Sequence, residues 1–164
     1  MKSIDLIRWA MNFSEQGTNR IIEDMKNAPL TQPTSRGGNH SLWNMGHLAY
    51  IEGAIRQIIT GEPNPVEKWA PLFATGTQPK TEASAYPPFE EILRTYRDLR
   101  AQNLKMLDAL GETGLDHTPK FIPPGFEEAM KTNGRALLVL TLHNMVHYGE
   151  IATCRRAAGL KPLM

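Results

Sequence analysis

The sequence predicts an all-α protein, a four-helix bundle. Three observations lead there. Apolar residues recur at helical spacing in four stretches of about 20 to 25 residues. The prolines and paired glycines fall between those stretches, where they punctuate rather than break helices. No stretch shows the period-two alternation of a half-buried strand. The chain has 164 residues, 41% of them hydrophobic, enough for one domain with its own core and too few for two. One domain over residues 1–164 is expected.

The first helix is read from Ser3 to about Lys26, with Ile4, Ile7, Met11, Ile21, Ile22 and Met25 as its apolar positions. It ends ahead of Pro33 and the Gly37-Gly38 pair. The second runs from Ser41 to Thr60 and stops at Gly61, with Pro63 just beyond. Trp43, His47, Tyr50, Ile51, Ala54 and Ile58 share one of its faces. A long connection follows, in which Pro63, Pro65, Pro71 and Pro79 forbid a long helix. It still carries Trp69, Leu72 and Phe73, so it is expected to pack over something, a site above all.

The third helix opens after Pro87-Pro88 and reaches about Leu110, striped by Phe89, Ile92, Leu93, Tyr96, Leu99, Leu107 and Leu110. A second long connection, Gly111 to Thr132, bears Phe121, Ile122 and Phe126, which suggest a short structured piece. The fourth helix starts at Asn133, read as its N-cap, and ends near Ala158. Gly159 suits the position after the helix, with Pro162 shortly beyond.

Charge and composition exclude several classes. The formal net charge is +1 and no long run of Lys or Arg occurs, so no footprint for nucleic acid is present. The opening MKSIDLIRWAMNF is broken by Asp5 and Arg8, unlike a signal peptide. The longest nearly apolar run, Ala136 to Leu142, is far short of the ~20 residues that span a bilayer. A lone cysteine, Cys154, allows no intramolecular disulfide. A cytoplasmic protein, bound to neither membrane nor nucleic acid, is expected.

The chemistry concentrates on histidine. His143 and His147 are one helical turn apart on the ridge Ala136, Leu140, His143, His147, Ile151, Cys154, so both imidazoles face the core. His47 is placed the same way on the second helix. Three convergent imidazoles suit a divalent ion with an open coordination position. The alternative for each ring is a neutral, hydrogen-bonded core histidine. His40 and His117 lie among turn formers and are expected in solvent. Glu150, three residues past His147, is a candidate as a partner that fixes an imidazole tautomer, a general base, a fourth ligand, or a plain surface carboxylate. Cys154 lies about 10 Å along the axis from His147, too far to share an ion with both histidines. It reads as a small buried hydrophobe. Gly46, Ala49 and Gly53 make a ridge of small residues on the second helix, and Gly149 sits inside the fourth. Close backbone approach or room for a ligand is the expected reason.

These residues carry a family resemblance. A His shortly after a Trp in SLWNMGHLAYIEG, the H-x3-H of HNMVHYGEI and the closing AAGLKP, in that order and over essentially the whole length, resemble the DinB/YfiT-like metalloenzymes. The resemblance implies a DinB-like four-helix bundle running up-down-down-up, with long loops between helices two and three and between three and four. It implies that His47, His143 and His147 bind a divalent metal ion, zinc or nickel, with positions left open, and that the protein is a homodimer. The family name implies no polymerase activity. Some relatives are thiol-dependent S-transferases or isomerases that use mycothiol, bacillithiol or glutathione. The implied function is a metal-dependent enzyme, a transferase or hydrolase, that activates a low-molecular-weight thiol or water to attack a small electrophile. The alternative is a non-catalytic metal-binding or stress-related interaction module. One departure stands at the site. Family members often carry Arg-Gly-Gln after the last histidine, and here the chain reads Tyr148-Gly149-Glu150.

Overall fold

The computed structural model describes residues 1–32, 38–161 and 163. Those residues form helices α1 (Ser3–Met25), α2 (Ser41–Thr60), the single turn α3 (Ala70–Phe73), α4 (Phe89–Gly114) and α5 (Asn133–Ala157), with no strand among them. The four long helices match the four expected ones. Pro33, Gly37 and Pro162, read above as helix punctuation, lie outside the described residues. No helix among the described residues is long and apolar enough to cross a membrane.

Local chemistry sets the helix ends. The first amides of α1 lack intrahelical acceptors, and a neighbour supplies them. The Glu112 carboxylate accepts from Ser3 N at 2.9 Å and from Ile4 N at 3.0 Å. Helix α2 stops at Gly61, which takes φ 78°, a left-handed conformation that glycine reaches without strain. Gly111 breaks α4 at φ 62°, ψ −177°, yet the chain resumes a helical turn to Gly114. The second connection therefore starts later than expected. It holds turns and no helix, with Phe121 and Phe126 exposed. The N-cap of α5 is Thr132, not Asn133. The Thr132 hydroxyl accepts from Arg135 N, while the Asn133 amide donates to Gly114 O at 2.9 Å.

Helices α1 and α2 each pack against both α4 and α5, so the four long helices close a ring. Glu112 holds the start of α1 near the end of α4, and Arg97 in the first half of α4 holds Glu23 near the end of α1. The two helices therefore run in opposite directions. Asp24 and Arg155 pair the ends of α1 and α5 at 2.7 Å.

The apolar core forms two clusters. One gathers Trp43, Phe73, Tyr86, Tyr96 and Ile151, the other Ile7, Met11, Ile55, Leu107 and Leu140. A buried polar layer lies between them and touches every long helix. At its centre Arg100 donates from Nε and Nη2 to Glu52 Oε1 at 2.9 and 2.5 Å. Both side chains are fully buried. The guanidinium also donates to Met11 O and Ser14 Oγ on α1, and Asn103 donates to Glu52 Oε2 at 2.8 Å. On α5, Asn144 completes the layer. Turned to satisfy all its neighbours, its amide donates to Thr18 Oγ1 and accepts from the Tyr96 hydroxyl, both at 2.7 Å, and from Arg100 at 3.2 Å.

Tyr96 is fully buried, and burial pushes its hydroxyl well above the usual tyrosine range. The unfolded chain releases that proton near pH ~10, whereas the folded protein keeps it. Stability contributed by Tyr96 is thus whole below that pH and is lost as pH rises beyond it. Alkaline titration followed near 295 nm should show one tyrosine that ionises only as the helices melt. Its ionisation with helicity intact would contradict the buried layer.

Candidate metal centre

Helix α2 is buried on all sides at its start, from Ser41 through Ala49, so the expected single apolar face was too narrow. His47 lies in this dry stretch. The backbone of α2 at Gly46 meets the Phe73 ring so closely that an added Cβ would fall 2.1 Å from it. This approach brings the carbonyl of Phe73 to His47 Nδ1, at 2.6 Å. The connection carrying Trp69 and Phe73 does pack over the site, with both residues buried. Trp43 stacks on the His47 ring at 4.7 Å between centroids and 9° between planes. Its indole N–H donates to Thr77 Oγ1, tying the connection down.

Helix α5 delivers the other two rings. His147 Nδ1 lies 2.7 Å from Asn44 Oδ1 and 3.1 Å from Glu150 Oε2. Glu150 Oε2 also accepts from Asn39 Nδ2 at 3.1 Å. A carbonyl or carboxylate only accepts, so Nδ1 carries the proton in both His47 and His147. Their Nε2 atoms are left with bare lone pairs. Both face His143 Nε2, at 3.1 Å from His47 and 3.2 Å from His147.

A single proton on His143 Nε2 can serve only one of these two acceptors. Moving it there would leave His143 Nδ1, buried and without a protein partner among the described residues, as an unused acceptor. A shared cation relieves the conflict. Two nitrogens bound tetrahedrally at ~2.0–2.1 Å from one ion sit roughly 3.3 Å apart, close to the spacing seen. The candidate ligand nitrogens of the three residues all lie within 4.8 Å of one another. The donor set therefore fits a divalent ion.

Electrostatics favour neutral rings. Burial pushes His47 down to about 4, opposed by the Phe73 hydrogen bond. Burial, then the two neighbouring imidazoles, pushes His143 down to about 3. The Glu150 carboxyl is held below its usual range, first by the hydrogen bond from His147. Glu150 thus reaches the outer nitrogen of His147, on the side away from the three Nε2 atoms.

The remaining candidates separate cleanly. His40 is buried, not in solvent. It caps α2, its Nδ1 accepting from Trp43 N at 3.0 Å while Nε2 meets Lys80 O at 2.8 Å. His117 is exposed as expected. Cys154 is buried, and its thiol donates to Asn39 O. Gly53 is needed for close approach, since a Cβ there would strike Asn64, but a Cβ at Gly149 would meet open space. Asn44 escaped the sequence reading. Its spacing from His47, three residues along an apolar helix, was the available signal.

Fold and centre together define an all-helical bundle with a histidine triad able to hold a metal ion. The chain belongs to the DinB superfamily, whose family model matches residues 10–151. No curated protein matches it.

Two outcomes are expected. Imidazole ¹⁵N shifts of the metal-free protein should report the Nδ1–H tautomer for both His47 and His147; an Nε2–H form at either ring would refute the lone-pair assignment. Gly46→Ala forces the Phe73 ring aside and should destabilise the protein by about 1–3 kcal/mol, read as a lower urea midpoint at unchanged slope.

Proposed function

We propose that this protein is a divalent-metal-dependent enzyme of the thiol S-transferase kind, with His47, His143 and His147 holding the ion through Nε2. It would activate a low-molecular-weight thiol, or water in a hydrolase variant, to attack a small electrophile. The observation that carries the reading is the pair of proton-free Nε2 atoms aimed at His143 Nε2 within 3.1–3.2 Å. Zinc or nickel bound there supplies positive charge that acidifies a thiol or water toward neutral pH. The chain's own residues do the rest. Phe73 O and Asn44 hold the tautomers of His47 and His147. Trp43 covers the face of His47 against water. Glu150, the candidate catalytic residue, is a positioning residue that steadies His147 from its outer nitrogen. The buried free thiol of Cys154 suits a reducing compartment such as the cytoplasm.

Protein purified without an affinity tag should carry about one zinc or nickel per chain. It should turn over a chlorodinitrobenzene-type electrophile with glutathione, bacillithiol or mycothiol when loaded, and lose that rate on chelation. His143→Ala should lose it as well. A large drop in melting temperature on chelation, with no turnover by any thiol or ester, would support the non-catalytic alternative instead. Absence of bound metal would sink both.

The protein also presents a face suited to a second copy of itself. Leu6, Trp9 and Phe13 on α1, and Leu138, Leu142 and Val146 on α5, are exposed. Trp9 and Phe13 stack on each other, and Phe13 borders a groove shared with Met145 and Tyr148 of α5. At on the order of 100 Å² each, the six side chains offer roughly 600 Å², near the ~800 Å² per partner of a standard interface. We propose a homodimer through α1 and α5 on the strength of this exposed apolar face. Light scattering should give twice the 18.4 kDa chain mass, and Leu142→Glu should halve it with helicity intact. A monomeric parent protein would remove this interface.

A further inference from the structure

The centre needs α2 and α5 in strict register, yet outside the centre they meet mainly through apolar packing. Among the described residues no ion pair links the two helices. The described side-chain hydrogen bonds between them are His47 to His143 and Asn44 to His147 at the centre, and a contact of the Cys154 thiol with Ser41 where α2 begins. Apolar packing alone lets helices slide and repack, and a displacement of even ~0.5 Å degrades a ligand constellation.

The buried polar layer supplies the missing constraint. We propose that Arg100, through Glu52 and Asn144, is a positioning residue for the three-histidine centre. This rests on the metal reading above. Arg100 lies on α4, and its planar fork reaches α2 at Glu52, α1 at Met11 O and Ser14, and α5 at Asn144. Glu52 is five residues past His47, about 7.5 Å along α2. Asn144 adjoins His143 in the chain. A two-pronged guanidinium contact has a fixed geometry that apolar side chains lack. Slippage of α2 against α5 would have to pull Glu52 or Asn144 off the guanidinium.

A buried ion pair is poor evidence for stability, since apolar replacements of similar volume are often neutral or stabilising. Its value here is the register it imposes. The contrast provides the test: stability and metal affinity should part company when the pair is replaced.

The experiment compares the wild-type protein with the double variant Glu52→Met/Arg100→Met. Thermal melting is read by circular dichroism, Co²⁺ affinity by chelator competition, and site geometry by the Co²⁺ d–d spectrum. The double variant should melt within a few degrees of wild type or higher, bind Co²⁺ at least tenfold more weakly and show an altered d–d band. A folded double variant with wild-type affinity and spectrum overturns the proposal. Should it fail to fold, Arg100→Lys carries the same test. The lysine keeps a cation beside Glu52 but cannot also fork to α1 and α5, so weaker Co²⁺ binding is expected, and unchanged affinity and spectrum overturn the proposal. A wild-type protein that binds no Co²⁺ overturns the metal reading itself, and this inference with it.

Discussion

An imidazole offers a lone pair inward only if its other nitrogen has somewhere to place a proton. That constraint governs the architecture around the centre. His47 meets it with a backbone carbonyl, and the carbonyl is in place because Phe73 lies against the bare backbone of Gly46. His147 meets it with an amide from α2 and a carboxylate one turn along its own helix. The packing of an α2 glycine against an otherwise irregular connection and the protonation state of a ring are thus one problem solved once. Among the described residues His143 has no such brace, so the three rings are chemically alike but mechanically unequal.

The polar layer at mid-height works on a larger scale. Apolar side chains above and below it supply the burial that drives folding, but they do not select one sliding position over another. Glu52, Arg100, Asn103 and Asn144 do, because each has directional partners on other helices. The layer separates the two apolar clusters and lies close to the histidines along both α2 and α5. Stability and geometry are in this way assigned to different residues.

Much of this was legible in the chain, and the reason is locality. Gly61 and Pro87-Pro88 bound helices through effects within a few residues, and α2 ends where Gly61 indicates. The inward direction of His143 and His147 follows from helical periodicity, and His47 was placed by the same rule. Their convergence already suggested one shared ion, and the resemblance strengthened that expectation. What stayed hidden depends on partners far away in sequence. Arg100 and Glu52 look like surface charges until they are seen 48 residues apart and fully buried. A hint existed, since Arg100 and Asn103 share the stripe of Tyr96 and Leu107. His40 was misread because turn-forming neighbours suggested solvent, whereas its ring serves as a helix cap. The Thr132 cap differs from the expected Asn133 by one residue, because the Asn133 side chain is drawn to Gly114 O across the fold, a partner far away in sequence.

Helix α5 carries apolar residues on two opposite faces: Leu140 and Ile151 point inward, and Leu138, Leu142 and Val146 outward. A half turn about its axis would bury the outer leucines in place of the inner ones, but it would also drive Arg135 and Arg156 inward and strand the histidines in water. The outward apolar residues narrow the energy gap that burial alone opens against such a misrotation. Asn144 widens it again, because in the native rotation its amide meets both Thr18 and Tyr96. One amide in mid-helix thus helps to choose the rotation that carries the imidazoles to the core.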